Sequence, residues 1–358
     1  MSGKESIFKN TIMRSIIVIL AVLILLLPGC SKPEPEPEPE AEPEAQVETE
    51  DYTVYGDESL GIDPGVDESL RNYRSILIAG IDNGHRADIQ LILCINKETG
   101  EARMFTVSRD AYMQIKPNET VTIDDRELEF CKCNRAFEIG DKYDLMTELN
   151  RHLDLNIREF IGVDWPCTAK LVDDLGGVTV TVDEKMLKWI NEGHGLAQYD
   201  AENYQIESAG TQTLNGWQTV QYLRVRKFKG GSAALREERN REFLNALNER
   251  AKEMSMDEIA EIYDDIASDI DTNMSRNTLT DTLVALESSG INDAGGWPYE
   301  LKMRWEPDKH FNYKVPQSLY SNVVQLHANV FDQEGYVPSA TVLELNDKII
   351  DLENNYLK

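Results

Sequence analysis

The chain has 358 residues and a formal charge of −28 at pH 7. That balance excludes a nucleic-acid partner held through its phosphates, because such binding rests on clustered Lys and Arg. The charge is unevenly placed: residues 33–70 hold 14 acids and no Lys or Arg, residues 1–32 carry a net +3, and residues 71–358 carry −17.

Taken in chain order, Lys4, Lys9 and Arg14 precede an uncharged apolar run from Ile16 to Leu27. Twelve residues fall short of the roughly 20 that span a bilayer and suit the core of a signal peptide. The run ends in "LPGC", similar to a bacterial lipobox, in which cleavage leaves Cys30 as a lipid-bearing N-terminus; an uncleaved membrane anchor is the alternative. Next comes "KPEPEPEPEAEPEA", whose alternating Pro and Glu can build neither helix nor core. The organisation expected is therefore a leader over 1–30, a disordered acidic spacer over 31–70 and one extracytoplasmic domain over 71–358.

The domain has the texture of a mixed α/β fold. Strands are expected at 75–81, 88–95 and 101–108, then an amphipathic helix over 141–153 with Leu145, Leu149 and Leu153 on one face. "REFIGVDW" suits a strand, Pro166 suits the first position of the helix that follows, and the glycines at 176–177 stop that helix before the strand "VTVTV". Further expectations are a strand over 219–228, a long helix over 234–254, and helices at 256–269 and 276–289. The four cysteines here, Cys94, Cys131, Cys133 and Cys167, lack the spacing of a zinc knuckle. A disulfide from Cys167 to one of the first two, or free thiols, are both compatible with the sequence.

Charged residues gather at the ends of these elements. "GIDNGHRADIQ" puts Asp82, Arg86 and Asp88 between two apolar strands, as a hairpin turn or as a metal site. "VSRDAY" brings Arg109 and Asp110 out of the next strand. On a strand, Arg224 and Arg226 of "VQYLRVRKF" share a face with Tyr222 and Phe228, forming a guanidinium fork suited to phosphate or an exposed face paired with acids. On the helix after it, Arg236, Asn240, Phe243 and Leu247 form one stripe, polar at its start, with Arg239 beside it. Carboxylates around a shared point can hold Mg²⁺, which takes one or two of them together with phosphate oxygens and water. The joint pattern points to a pocket for a diphosphate and a metal.

These pieces, in this order, resemble the LytR–CpsA–Psr family of bacterial cell-envelope proteins. The matching segments are "ILIAGID" with "RADIQLILCINKETGEARMFTVSRDAY", then "CNRAFEIG", "LNIREFIGVDWPCTAKLVDDLGGVTVTV", and "LNGWQTVQYLRVRKF" with "LREERNREFL". The resemblance implies a three-layer α/β/α sandwich around a mixed, largely antiparallel sheet. It also implies transfer of a glycopolymer, such as teichoic acid or capsule, from a polyprenyl-diphosphate carrier to peptidoglycan. By position, Asp82 and Asp88 would hold Mg²⁺. Arg86, Arg109, Arg224, Arg226, Arg236 and Arg239 would clamp the diphosphate, with Asn240 where the family usually has Gln. The apolar interior would take the prenyl tail, and Asp88 or Asp110 would serve as base. A carrier-binding protein without turnover, or a diphosphate hydrolase, would use the same pocket. Four departures stand out: a short loop between Asp82 and Asp88, Asn240 itself, no proline before Arg109, and "GGSAAL" before the long helix.

Overall fold

The computed structural model describes residues 60–225 except 83–85, 118, 124, 194–195, 197–198 and 200. Beyond these it describes 239, 242–243, 245–247, 249–250, 253–275, 278, 282, 291–306 and 311–356. Cys30, the leader and most of the spacer lie outside the described residues. So do Arg226, Arg236 and Asn240, and most of the helix expected at 276–289.

A short helix, α1 (Pro64–Ser69), opens the described chain, with Asp63 capping it by accepting from the Gly65 and Val66 N–H groups. Leu60, Ile62, Val66 and Leu70 are buried in the core. The folded body therefore begins by Leu60 and not at 71; the acids of 60–70 lie between four apolar residues that the domain needs.

The central sheet has six strands in the order β11-β8-β1-β2-β3-β12. These are β1 (Tyr73–Asp82), β2 (Arg86–Asn96), β3 (Ala102–Val107), β8 (Ile157–Asp164), β11 (Asp271–Thr272) and β12 (Ile291–Trp297). The hairpins β1–β2 and β2–β3 and the pair β8–β11 are antiparallel, whereas β1–β8 and β3–β12 are parallel. The sheet is mixed and largely antiparallel. β1 and β2 read as nearly unbroken apolar runs because both of their faces are covered.

One face packs Ile76, Ile78, Ile89, Leu91 and Leu93 against α4 (Trp165–Asp174), α6 (Gly216–Arg224), Phe243, Leu247 and α7 (Met256–Ile266). The other packs Leu77, Ala79, Ile92 and Phe105 against α3 (Lys142–Leu153), α8 (Leu319–Phe331) and α9 (Ala340–Tyr356). Small two-stranded sheets lie outside the central one: β4 (Tyr112–Gln114) with β7 (Phe130–Lys132), β5 (Val121–Ile123) with β6 (Arg126–Leu128), β9 (Val178–Val182) with β10 (Gly210–Leu214), and β13 (Leu301–Glu306) with β14 (Phe311–Pro316). The remaining helices are α2 (Arg135–Ile139) and α5 (Glu184–Asn191). The chain is thus a three-layer α/β/α sandwich.

Two local expectations are corrected, and the expected strand at "VTVTV" is present. Residues 216–224 are helical, not a strand: Asn215 and Gln218 form a reciprocal capping box that starts α6. Tyr222 and Arg224 therefore do not share a strand face. Pro166 is the second residue of α4, since Asp164 caps the helix and Trp165 begins it. Strand "VTVTV" pairs with β10 outside the central sheet. The four cysteines of the domain are free and buried; burial pushes Cys94 and Cys167 up to about 12, which leaves both as inert thiols.

Candidate active site

The site forms where β1, β3 and β8 end and β2 begins. Along β1–β2 the pairing runs regularly to Gly80 opposite Ile89 and then shifts, so that Ile81 faces Ala87 and Asp82 faces Arg86. Asp88 is the extra residue, the bulge that has no partner position on β1. The bulge reverses the alternation of β2. Ala87 packs into the core with Ile81, whereas Ile89 packs into the opposite core with Ile78. Gln90, wholly buried, donates through Nε2 to the Ala87 carbonyl at 2.8 Å and braces the distortion.

Neighbouring strands deliver the other groups by register. β3 places Val107 opposite Gln90; two residues further on, Arg109 stands across from Asp88 and donates to its Oδ2. Asn134, at the start of α2, donates through Nδ2 to Asp88 Oδ1 at 2.9 Å. The loops carrying Arg109 and Asn134 are tied together by the Asn134 N–H on the Arg109 carbonyl and the Cys133 N–H on the Ala111 carbonyl. Asp110 pairs with Lys132 at 2.7 Å and stays a little more open to solvent than Asp88.

On the other side, parallel pairing sets Ile81 beside Asp164, so Trp165 follows beside Asp82. Trp165 Nε1 donates to Asp82 Oδ1 at 3.2 Å, and Tyr199 Oη donates to the same oxygen at 3.2 Å. Arg224, the last residue of α6 and 2% exposed, lies over the Trp165 ring at 5.6 Å. Arg239 is also buried and donates to the Val225 carbonyl, just past the end of α6. A cation at a helix C-terminus is favoured by the helix dipole.

Asp82 and Asp88 are both 8% exposed. Burial pushes Asp88 above the usual carboxylate range; Arg109 and Asn134 pull it back, while the charge on Asp82 adds to the push. The two carboxylates are thus within electrostatic reach of each other. Among the described residues no three His, Cys, Asp or Glu side chains form a cage for a metal. The donor set still fits a hard cation such as Mg²⁺. It offers two mutually repelling carboxylates, and the buried Asn134 Oδ1 has no partner among the described residues; phosphate oxygens and water would complete the shell.

Of the residues expected from sequence, Asp82, Asp88, Arg109, Asp110, Arg224 and Arg239 gather at this end of the sheet. Arg86 starts β2 but forks onto Glu138 at 3.0 and 3.1 Å, with Arg135 on the same carboxylate. Sequence reading missed Trp165, Tyr199, Asn134 and Lys132. Trp165 and Asn134 lie inside the segments that carried the family resemblance, while nothing local marks Tyr199. Two clefts among the described residues lie elsewhere, one lined by Asp174, Glu258, Glu261 and Asp265 and the other by Asp173, Glu202 and Trp217.

An α/β/α sandwich with paired carboxylates and buried arginines at one sheet end defines a protein that handles a charged group at that end; the relatives narrow the class. The LytR_cpsA_psr family matches residues 43–325, and the chain belongs to that family. It is similar to the polyisoprenyl-teichoic acid–peptidoglycan teichoic acid transferase TagT of Bacillus subtilis, at 27% identity over 60% of this chain and 62% of TagT. It is also similar to TagU of the same organism, at 24% identity over 63% of this chain and 68% of TagU. The aligned region thus spans somewhat under two thirds of TagT. Among solved structures, protein gbs0355 of Streptococcus agalactiae shares the fold with a TM-score of 0.54, at 19% identity over 78% of this chain and 94% of that one.

Proposed function

We propose that the chain transfers a glycopolymer from a polyprenyl-diphosphate carrier to peptidoglycan, on the outer side of the cytoplasmic membrane. Family membership and the transferase names of TagT and TagU support the reading. The observation that carries it is the meeting of two buried carboxylates, Asp82 and Asp88, with Arg109 and the buried Arg224 at one sheet end. Charges in a poorly solvated site act strongly on a diphosphate.

An acceptor hydroxyl of peptidoglycan attacks the phosphorus that bears the sugar. A P–O bond forms to the acceptor, the bond from that phosphorus to the bridging oxygen breaks, and polyprenyl phosphate leaves with that oxygen. The hydroxyl proton passes to a carboxylate. Asp110, held by Lys132 and the more open of the two candidates, suits this role better than Asp88, whose oxygens are taken by Arg109 and Asn134. Arg109 and Arg224, with Arg239 behind them, bind the diphosphate; Arg226, Arg236 and Asn240 join them in this reading. Asp82 and Asp88 would hold Mg²⁺, which would supply charge neutralisation to the leaving phosphate. Trp165 and Tyr199 orient Asp82 through their two hydrogen bonds. The prenyl chain lies along the apolar layer between the sheet and α4 and α6. Lipid on Cys30 and the Pro/Glu spacer tether the domain to the membrane; no described helix is long and apolar enough to cross one.

The test is release of polyprenyl phosphate from a lipid-linked polymer by the purified full chain with Mg²⁺ and peptidoglycan. Arg224→Ala is expected to lower turnover about a hundredfold, the loss typical of one charge-stabilising donor. Unchanged turnover in that variant refutes the reading. Release without acceptor identifies a hydrolase, and tight binding of the carrier without product identifies a carrier protein.

A further inference from the structure

The second cleft lies beyond the Asp82 side of the site and has the chemistry of a sugar-binding groove. Its space of about 370 Å³ is lined by Asp173, Glu202, Asn203, Asn215 and Trp217, at the lower end of the range for small-ligand sites. Its walls are held in place. Asp173 Oδ1 accepts from the Gly216 N–H at 2.7 Å, and Asn215 Nδ2 donates to the Asn203 carbonyl at 2.8 Å. Asn203 itself has φ of 56°, a left-handed turn that Asn tolerates well.

Trp217 is half-buried, and its ring stacks on Tyr199 with centroids 5.5 Å apart and planes 28° apart. Tyr199 in turn donates to Asp82. The groove and the reaction site are thus joined through one side chain, two contacts apart. Glu202 is exposed and extends the groove's carboxylate content.

An aromatic wall beside carboxylates and amides matches a pyranose, whose C–H face lies on the ring while its hydroxyls donate to carboxylates and amide oxygens. The same acids repel phosphate, so the groove selects an uncharged part of a polymer and not its phosphodiester links. We infer that this groove is a saccharide subsite that seats an uncharged pyranose on the Asp82 side of the reaction site. The inference rests on the transferase reading for the identity of its sugar, though not for the groove's chemistry. The sugar comes from the peptidoglycan acceptor or from the donor polymer; both carry the same ring chemistry.

The experiment measures binding of a soluble peptidoglycan disaccharide to the purified full chain by ligand-observed NMR, and in parallel the KM values for acceptor and donor. Trp217→Ala is expected to weaken disaccharide binding about tenfold, the loss of roughly 1.4 kcal/mol by the standard conversion. Trp217→Phe should lose less, and Glu202→Gln, on an exposed side chain, tests the polar wall where the fold is not at stake. A matching rise in acceptor KM assigns the sugar to peptidoglycan; a rise in donor KM instead assigns it to the polymer, and the subsite stands in both cases. Disaccharide binding and both KM values unchanged in all three variants overturn the subsite while leaving the transferase reading intact. Disaccharide binding that depends on Trp217 in a chain without any transfer overturns the transferase reading and leaves the subsite.

Discussion

Glu148 and His152 lie one turn apart on α3 and are sealed from solvent, at 1% and 0% exposed. Burial pushes Glu148 from 4.5 up to about 7 against the pull of Arg151, and pushes His152 from 6.5 down to about 3. The imidazole Nε2 accepts from the Gln114 N–H at 3.0 Å, so the proton of the neutral ring sits on Nδ1 and is donated to the Glu148 carbonyl at 2.9 Å. Between pH 4.5 and 6.5 the folded chain holds a proton on Glu148 that the unfolded chain lacks. Over the same window the unfolded chain holds one on His152 that the folded chain lacks. The two differences oppose, and the pair adds no slope to stability against pH.

Glu148→Gln removes one side of that balance. His152, with its folded value depressed, then contributes stability present above 6.5 and lost as pH falls. The loss is about 1.4 kcal/mol per pH unit, nearly 3 kcal/mol across the window. Urea unfolding followed by circular dichroism at pH 4.5, 5.5 and 6.5 measures it, and other titrating groups cancel in the comparison with wild type. Parallel pH profiles for the two proteins would refute the reasoning.

Three further outcomes follow from the site. A Cβ on Gly216 would stand 2.1 Å from the Ala169 carbonyl oxygen, so Gly216→Ala should cost about 1–3 kcal/mol of stability and lower turnover by moving Arg224 off Trp165; an unchanged urea midpoint would contradict this packing. Arg109→Ala leaves Asp88 buried with only Asn134 and should cost about 3–5 kcal/mol, most of it regained in Arg109→Ala/Asp88→Asn because the stranded charge is gone; a double variant no more stable than the single one would rule out charge pairing. Asp82→Asn should weaken Mg²⁺ binding at least tenfold in calorimetry with a prenyl diphosphate present, and equal binding would remove Asp82 from the metal site.

Much of the sheet was legible because β1 and β2 are buried on both faces and so appear as apolar runs. α6 was misread for a related reason. Thr219, Val220, Gln221, Tyr222, Leu223 and Arg224 are all buried, so no polar face marks the helical period, and the alternation of Val220, Tyr222 and Arg224 imitates a strand. The readable clue was the Asn215–Gln218 capping box. The carboxylates and Arg109 could be picked out at strand ends, but the bulge at Asp88 could not, since "RADIQLIL" alternates smoothly on paper. Trp165, Tyr199 and Asn134 reach the site through pairing of distant strands and loops, which a single sequence does not display.

The bulge at Asp88 separates two things that usually change together in a strand. Because the residue occupies no paired position, its side chain can be replaced without shifting the phase of Ile89, Leu91 and Leu93 in the core. Deleting it would instead carry Ala87 and Arg86 onto opposite faces and scramble the strand. Chemistry at this position is therefore free to drift by substitution while the length of the strand is held fixed. A variant altered only at Asp88 is therefore expected to keep the fold.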